Sequence, residues 1–326
     1  MIIGNKIMNK IYFKPFDWKS DKQVVDNSAW SRLNDIIYEA RRIPIYKDKK
    51  DFFTLSDSQQ QTLLHCFASL SVTSGLQMKT GVAAAQQVAT TPKEIAVFNA
   101  LQYLESINNR TYSYLIEELT NSQAERNAAF NWIETDPYLQ QKNYYLNKIY
   151  QTGNSLQILA VTVLLNSGLY HSAFFAPLYL FGEGRLPKVA EAIKYALRVT
   201  SFNAMYPGIK FRKIFSQLSS EKQQETVAWV NDLIDKLLDN EVKHIRLLYQ
   251  DTGWCEKVIA YLKYTLNKGL SSLGIEDKFS ETAETINSEL LQGIIESADA
   301  DSFFFYANHH SLNHMKEDKT DKPQKD

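Results

Sequence analysis

The chain has 326 residues, of which 44% are hydrophobic and 22% are charged. Its formal net charge is −1 at pH 7, so the charge balance does not indicate a surface for nucleic acid or for a membrane. The two cysteines, Cys66 and Cys255, lie far apart within apolar helical patterns. Because no second cysteine lies near either of them, we predict two buried free thiols in a reducing, cytoplasmic protein.

Helical periodicity begins in the N-terminal third of the chain. Glycine and proline are scarce, at 12 and 8 residues, and apolar positions recur at the spacing of an α-helix. Thr54 or Ser56 is a suitable N-cap for a first long helix. Pro92 occupies a first-turn position of a second helix, which continues towards Thr120 without a break.

The most apolar part of the chain is SLQILAVTVLLNSGLYHSAFFAPLYLF, residues 155–181. Its flanks lack the charges of a membrane anchor, so we interpret it as a fully buried helix. A further helix begins at Pro187 with an expected kink near Pro207, and two more follow it. Long helices, short connections and one helix that is apolar all round predict a bundle with a buried central helix.

Several polar residues interrupt the apolar pattern in the middle of these helices. In LESINNRTYSYL, Glu105, Asn108 and Tyr112 are three and four residues apart, so they share one face. The other interruptions lie on separate helices at Ser74, Asn166, Thr200 and Asn203. Such residues can meet at one depth of a bundle, as in ferritin-like dimetal carboxylate proteins, although here they supply only one acid.

Four segments around these positions carry a family resemblance: RTYSYL at 110–115, NWIETDPYLQQK at 131–142, SAFFAPLYLF at 172–181 and YLKYTLNKGLSSLG at 261–274. Given their order and separations, the chain resembles the small, radical-carrying subunit of class I ribonucleotide reductase, closest to the class Ib branch. The resemblance extends over roughly residues 25 to 305. It implies an all-α, ferritin-like helical bundle of the small-subunit type.

The resemblance also implies a site for two iron or manganese ions beside a radical-carrying tyrosine. Tyr112 matches that tyrosine, and Glu105 matches one of six metal ligands. The family's radical-transfer tryptophan and aspartate match Tyr38 and Val199. The five remaining ligand positions carry short neutral side chains, at Ser74, Asn108, Asn166, Thr200 and Asn203.

These replacements predict a degenerate metal site. One carboxylate cannot neutralise two divalent cations in a buried site. We therefore expect no metal cofactor and a hydrogen-bonded polar core in the former metal cavity, with a single iron or manganese ion near Glu105 as the alternative. Tyr112 remains the candidate for an unusual or chemically modified tyrosine.

The function expected from the resemblance is that of a divergent, metal-free small subunit that supports deoxyribonucleotide synthesis with a large subunit through Tyr112. The alternative is a catalytically silent paralogue, a structural or regulatory partner of an active small subunit. A third hypothesis is an orphan ferritin-like protein whose cavity binds a small molecule. The expected partners are a second copy or an intact small subunit, a large subunit and a flavodoxin-like activator.

The predicted organisation has three parts. Residues 1–30 form an N-terminal arm, residues 31–290 the ferritin-like helical domain, and residues 291–326 a C-terminal segment with a disordered tail. The tail ends in KEDKTDKPQKD and lacks the acidic and aromatic ending that docks family members on the large subunit. We therefore expect residues 307–326 to contribute little to docking.

Overall fold

The fold is a bundle of α-helices, seen in a computed structural model that describes residues 17–19, 24–286 and 290. These ranges contain no β-strand. The helices are α1 (Val24–Asp35), α2 (Lys49–Phe52), α3 (Asp57–Leu76), α4 (Val82–Gln86), α5 (Pro92–Leu119), α6 (Gln123–Thr135), α7 (Pro137–Thr152), α8 (Ser155–Leu164), α9 (His171–Gly182), α10 (Pro187–Phe215), α11 (Ser220–Leu248) and α12 (Cys255–Leu273).

The predicted chain ends fall largely outside the described residues. The C-terminal segment and tail, residues 291–326, lie wholly outside them, as does most of the N-terminal arm. Helix α1 crosses the predicted boundary between arm and domain and packs against α5. The division into three parts therefore stays a prediction.

Local capping chemistry sets the starts of the long helices. The Ser56 hydroxyl accepts a hydrogen bond from the Gln59 amide, and the Gln59 side chain accepts one from the Ser56 amide. Thr91 and Glu94 form the same capping box before α5, with Pro92 at its first position. Each box satisfies backbone donors that a helix start leaves unpaired. The prediction of Ser56 as an N-cap is confirmed.

The predicted buried central helix consists of α8 and α9 joined by a π-helical turn at Leu165–Leu169. The segment Ser155–Gly182 is long and apolar enough to cross a membrane, and 89% of its most apolar window is buried within the protein. A second π-turn, Gln77–Gly81, follows α3. Each π-turn inserts an extra residue into the helix and so changes which side chains face the interior.

Close helix contacts surround this central element. Helix α5 packs along α3 and against α10, while α10 packs along α8. Helix α12 covers the π-turn, where a Cβ at Gly168 would overlap Leu266 and one at Gly269 would overlap Ser167. Glycine at both positions therefore allows α12 to approach the site helices closely.

Buried ion pairs connect the outer helices to this frame. The Lys210 ammonium of α10 lies 2.7 Å from Asp26 of α1 and 2.8 Å from Glu94 of α5. Lys142 of α7 lies 3.0 Å from Glu241 of α11. These pairs compensate charges that burial would otherwise destabilise.

The two cysteines differ in their surroundings. Both are free thiols; Cys66 is buried and Cys255 is only half-buried. Burial raises the pKa of the Cys66 thiol to about 12. The prediction of a buried thiol is therefore confirmed for Cys66 and wrong for Cys255, because that residue begins α12 at the edge of the core.

Candidate functional site

The candidate site is centred on the carboxylate of Glu105, halfway along α5. Glu105 is completely buried, and both of its oxygens accept hydrogen bonds. The Tyr170 hydroxyl donates to Oε1 at 2.8 Å, and the Asn203 side-chain amide donates to Oε2 at 3.0 Å. The Ser74 hydroxyl donates to the backbone carbonyl of Glu105 at 3.3 Å. We call these four residues the Glu105 cluster.

The remaining three ligand positions are buried and hydrogen-bond mainly to groups other than the Glu105 carboxylate. The Thr200 hydroxyl donates to the Leu197 carbonyl of its own helix, and the Asn166 amide donates to the Thr162 carbonyl. Asn108 follows Glu105 by three residues, and its amide is 3.5 Å from the carbonyl of Ala196 in α10. The predicted polar core therefore includes side chains that bond to backbone as well as side chains that bond to Glu105.

Burial controls the electrostatics of Glu105. Loss of hydration disfavours the ionised carboxylate and raises its pKa to about 7, although the hydrogen bonds from Tyr170 and Asn203 act in the opposite direction. The carboxyl group thus exchanges its proton near neutral pH. A cation is the usual compensation for such a group, and here neutral donors take that role.

Tyr170 belongs to the site although the sequence analysis did not select it. It follows the π-turn of the central helix and is buried. It lies four residues after Asn166, so the helical spacing that grouped the other positions could have indicated it. Tyr170 was not selected because its neighbours in the sequence are mostly apolar, which is typical of a tyrosine that only packs in the core.

Tyr112, the predicted radical position, is also completely buried. Its hydroxyl has no hydrogen-bond partner among the described residues. Burial, together with the nearby negative charge of Glu105, raises the pKa of the Tyr112 phenol far above its ordinary value. Its ring centroid lies 6.4 Å from that of Phe174. Tyr112 therefore sits beside the Glu105 cluster without a hydrogen bond to it.

The two positions matched to radical transfer have different environments. The Tyr38 hydroxyl donates to Asn108 Oδ1 at 3.0 Å and shares a hydrogen bond with Thr111 at 2.9 Å. Its ring stacks on Tyr195, with centroids 4.9 Å apart. Val199 is an apolar core residue of α10. Only Tyr38 thus has a polar connection to the residues around Glu105.

Comparison with known proteins identifies the family. The sequence profile of the ribonucleotide reductase small chain matches residues 15–287. The chain therefore belongs to the small-chain family of ribonucleotide reductase, an oxidoreductase. The all-α bundle expected from the sequence is confirmed.

Individual relatives cover most of the chain. The beta subunit of ribonucleoside-diphosphate reductase from Mycobacterium tuberculosis is 27% identical over 300 residues, 92% of each chain. The beta subunit of ribonucleoside-diphosphate reductase 2 from Escherichia coli is 28% identical over 89% of this chain and 90% of its own. The crystal structure of dimanganese(II)-NrdF from Streptococcus sanguinis is 35% identical, with a TM-score of 0.85, covering 87% of this chain and 100% of that one.

The Streptococcus structure corrects the cofactor expectation. The prediction of no cofactor is wrong, because that relative is a dimanganese(II) protein and the shared fold is one that holds two metal ions. The present side chains nevertheless fit such a pair poorly. Both Glu105 oxygens are already hydrogen-bonded, the Asn203 amide presents its nitrogen to Glu105, and Asn108 Oδ1 accepts from Tyr38.

The possible metal ligands at the six positions also fit two metal ions poorly. Asn166 Oδ1 is the one buried oxygen at the six positions without a hydrogen-bond partner in the described part of the chain. No group of three or more His, Cys, Asp or Glu residues suited to a metal ion occurs in the described ranges. One carboxylate with neutral amides and hydroxyls does not match two divalent cations, which require several anionic oxygens.

Proposed function

We propose that the chain is a divergent ribonucleotide reductase small subunit that supports deoxyribonucleotide synthesis with a large subunit, through an oxidised or modified tyrosine at the Glu105 cluster. The observation that carries this proposal is the pair of buried phenols, Tyr112 and Tyr170, beside one buried carboxylate. Burial excludes water and small reductants from an oxidised phenol. The carboxylate supplies the proton acceptor that oxidation of a phenol requires.

The family membership supports the partners in this proposal. A large subunit would supply the nucleotide-binding site, and a flavodoxin-like activator would supply an oxidant. Tyr38 hydrogen-bonds to Asn108, three residues after Glu105, and both Tyr38 and its stacked neighbour Tyr195 are only half-buried. Electron exchange between the cluster and a partner would use aromatic residues such as these.

Reductase activity tests the proposal directly. The purified chain is mixed with the large subunit from the same genome, nucleoside diphosphate and a thiol reductant, and deoxyribonucleotide is measured. We expect turnover that falls to background in the double variant Tyr112→Phe/Tyr170→Phe. Tyr249→Phe is the matched control, because Tyr249 is equally buried but bonds to Cys66 and the Ser172 carbonyl. Equal activity in the double variant would contradict a role for either phenol.

The second candidate function is a structural or regulatory partner of an active small subunit. Two features of the sequence favour it: five of the six matched ligand positions are neutral, and Val199 stands where the resemblance expects the radical-transfer aspartate. In this case the chain gives no turnover with a large subunit alone. Added to an intact small subunit, it changes the activity of that subunit instead.

Both candidates include a dimer of small subunits, and an apolar groove between α1 and α5 supports it. We call this the α1–α5 groove; it is lined by Trp30, Leu33, Ile37, Ala100 and Tyr103, among others. Ile37 is 49% exposed and Tyr103 is 56% exposed. Apolar side chains concentrated on one helix pair are typical of a protein interface. The proposed occupant is a second small-subunit chain, packed on the helix that carries Glu105.

Light scattering tests the dimer at micromolar concentration. The variant Tyr103→Glu places a charge in the groove and should give a monomer, both alone and with an intact small subunit. The control is Tyr144→Glu on α7, which changes an equally exposed tyrosine, at 64%, outside the groove. A dimer that survives Tyr103→Glu and dissociates in the control would place the interface elsewhere.

A further inference from the structure

The position of Tyr170 distinguishes it from Tyr112, the tyrosine that the family resemblance selects. Its hydroxyl hydrogen points at a carboxylate oxygen 2.8 Å away, whereas the Tyr112 hydroxyl has no partner among the described residues. We propose that Tyr170, and not Tyr112, is the redox-active phenol of this protein, with Glu105 as its proton acceptor. This inference rests on the proposed function, in which a tyrosine of the site is oxidised.

The chemistry of phenol oxidation supports this assignment. A phenol that loses an electron becomes a strong acid, so the oxidised state persists where a base can accept the proton at once. At Tyr170, a one-electron oxidant removes one electron, the O–H bond breaks and the proton forms a new O–H bond on Glu105 Oε1. The products are a neutral tyrosyl radical, a protonated carboxyl group and the reduced oxidant. Charge and atoms balance without any further reactant.

The neighbouring phenols lack a carboxylate base that is free of a cationic partner. The Tyr206 hydroxyl, one turn after Asn203, also donates to a carboxylate oxygen, Asp26 Oδ1, at 2.8 Å. The Lys210 ammonium lies 2.7 Å from the same oxygen and makes it a weaker proton acceptor.

Tyr38 donates to the amide oxygen of Asn108, which is a much weaker proton acceptor than a carboxylate. The Tyr150 hydroxyl lies 2.5 Å from the Gln77 amide, which donates to it. Among these phenols of the described residues, Tyr170 is therefore the one that contacts a carboxylate without a paired ammonium group.

The surrounding contacts hold Tyr170 and Glu105 in this arrangement. Asn203 donates to the second carboxylate oxygen, which leaves Oε1 for the phenol. The Tyr170 ring stacks on Phe174 with centroids 6.0 Å apart and an interplanar angle of 29°. Both partners are buried, so water does not compete for the hydrogen bond.

The experiment generates a radical with a known one-electron oxidant and locates it. Azide radical, produced by pulse radiolysis, oxidises the protein at pH 8, and samples are frozen at increasing delays for electron paramagnetic resonance. Protein with ring-deuterated tyrosine confirms that the signal is a tyrosyl radical. The variants are Tyr170→Phe and Tyr112→Phe, with Tyr249→Phe as the buried-tyrosine control. Circular dichroism confirms that each variant is folded.

We expect the long-lived signal to fall at least about tenfold in Tyr170→Phe and to remain within about twofold in Tyr112→Phe, the preference that a charge-assisted hydrogen bond confers. Glu105→Gln should shorten its lifetime, because the amide cannot take the proton. Loss of the signal in Tyr112→Phe, with or without loss in Tyr170→Phe, overturns the assignment. If the wild-type protein forms no long-lived tyrosyl radical, both the assignment to Tyr170 and the proposed function, which requires an oxidised tyrosine, are wrong. Reductase turnover with a radical on Tyr112 overturns the assignment alone.

Discussion

Glu105→Gln tests how the buried carboxyl group couples folding to pH. The substitution keeps the shape of the side chain and removes its ionisation. In the folded protein the pKa of Glu105 is raised to about 7, whereas the ordinary glutamate value is 4.5. At 1.36 kcal/mol per pKa unit, this difference corresponds to about 3 kcal/mol of pH-dependent stability.

The sign follows from the number of protons bound. Below pH 4.5 the group is protonated in both the folded and the unfolded chain, so it adds no pH dependence. Between pH 4.5 and 7 the folded chain holds a proton that the unfolded chain releases, and stability falls as pH rises. Above pH 7 the carboxylate is ionised in both states and the loss is complete. Glu105→Gln should lack this decline.

Urea unfolding of both proteins at pH 5, 6, 7 and 8 measures the effect. The stability of wild type minus that of Glu105→Gln should drop by about 2.5 kcal/mol from pH 5 to pH 8, because part of the full effect falls below pH 5. All other titrating groups are shared and cancel in this difference. Glu225→Gln, at an exposed position of α11, is the control and should leave the difference flat. Parallel pH profiles for wild type and Glu105→Gln would refute the raised pKa and the loss of hydration that causes it.

Three further changes test individual contacts. Tyr170→Phe should lower the free energy of unfolding by about 1.5–3 kcal/mol, because a hydrogen bond to a carboxylate is lost. Tyr112→Phe should lower it by less than about 1 kcal/mol, because the Tyr112 hydroxyl has no hydrogen-bond partner among the described residues. Equal losses of stability in urea unfolding would contradict this difference between the two hydroxyl groups. Lys142→Met leaves Glu241 charged and buried and should cost about 3–5 kcal/mol, most of which adding Glu241→Gln restores. Asn166→Glu adds a second carboxylate, so Mn²⁺ should raise its melting temperature more than that of wild type; an identical shift would argue against metal binding at these positions.

The helices and their order could be predicted from the sequence because their signals are local. The capping boxes at Ser56 and Thr91 and the first-turn prolines Pro92 and Pro187 act within a few residues of the chain. The apolar segment around Asn166 indicated a buried central helix for the same reason. Helical spacing also placed Glu105 and Asn108 on one inward face. These expectations depend only on periodicity and on the backbone groups at helix ends.

The hydrogen-bond partners of Glu105 were decided by the tertiary structure. Tyr170 and Asn203 reach the carboxylate from two different helices, and their distances depend on how those helices cross and on the π-turn that precedes Tyr170. The spacing of residues along one helix contains no information about such distances. Thr200 is a second example. The sequence predicted that it meets the other polar residues at one depth of the bundle, but its hydroxyl bonds to a backbone carbonyl of its own helix. The sequence by itself thus determined the bundle and the one acid among the six matched positions, whereas three-dimensional packing selected the phenol that contacts that acid.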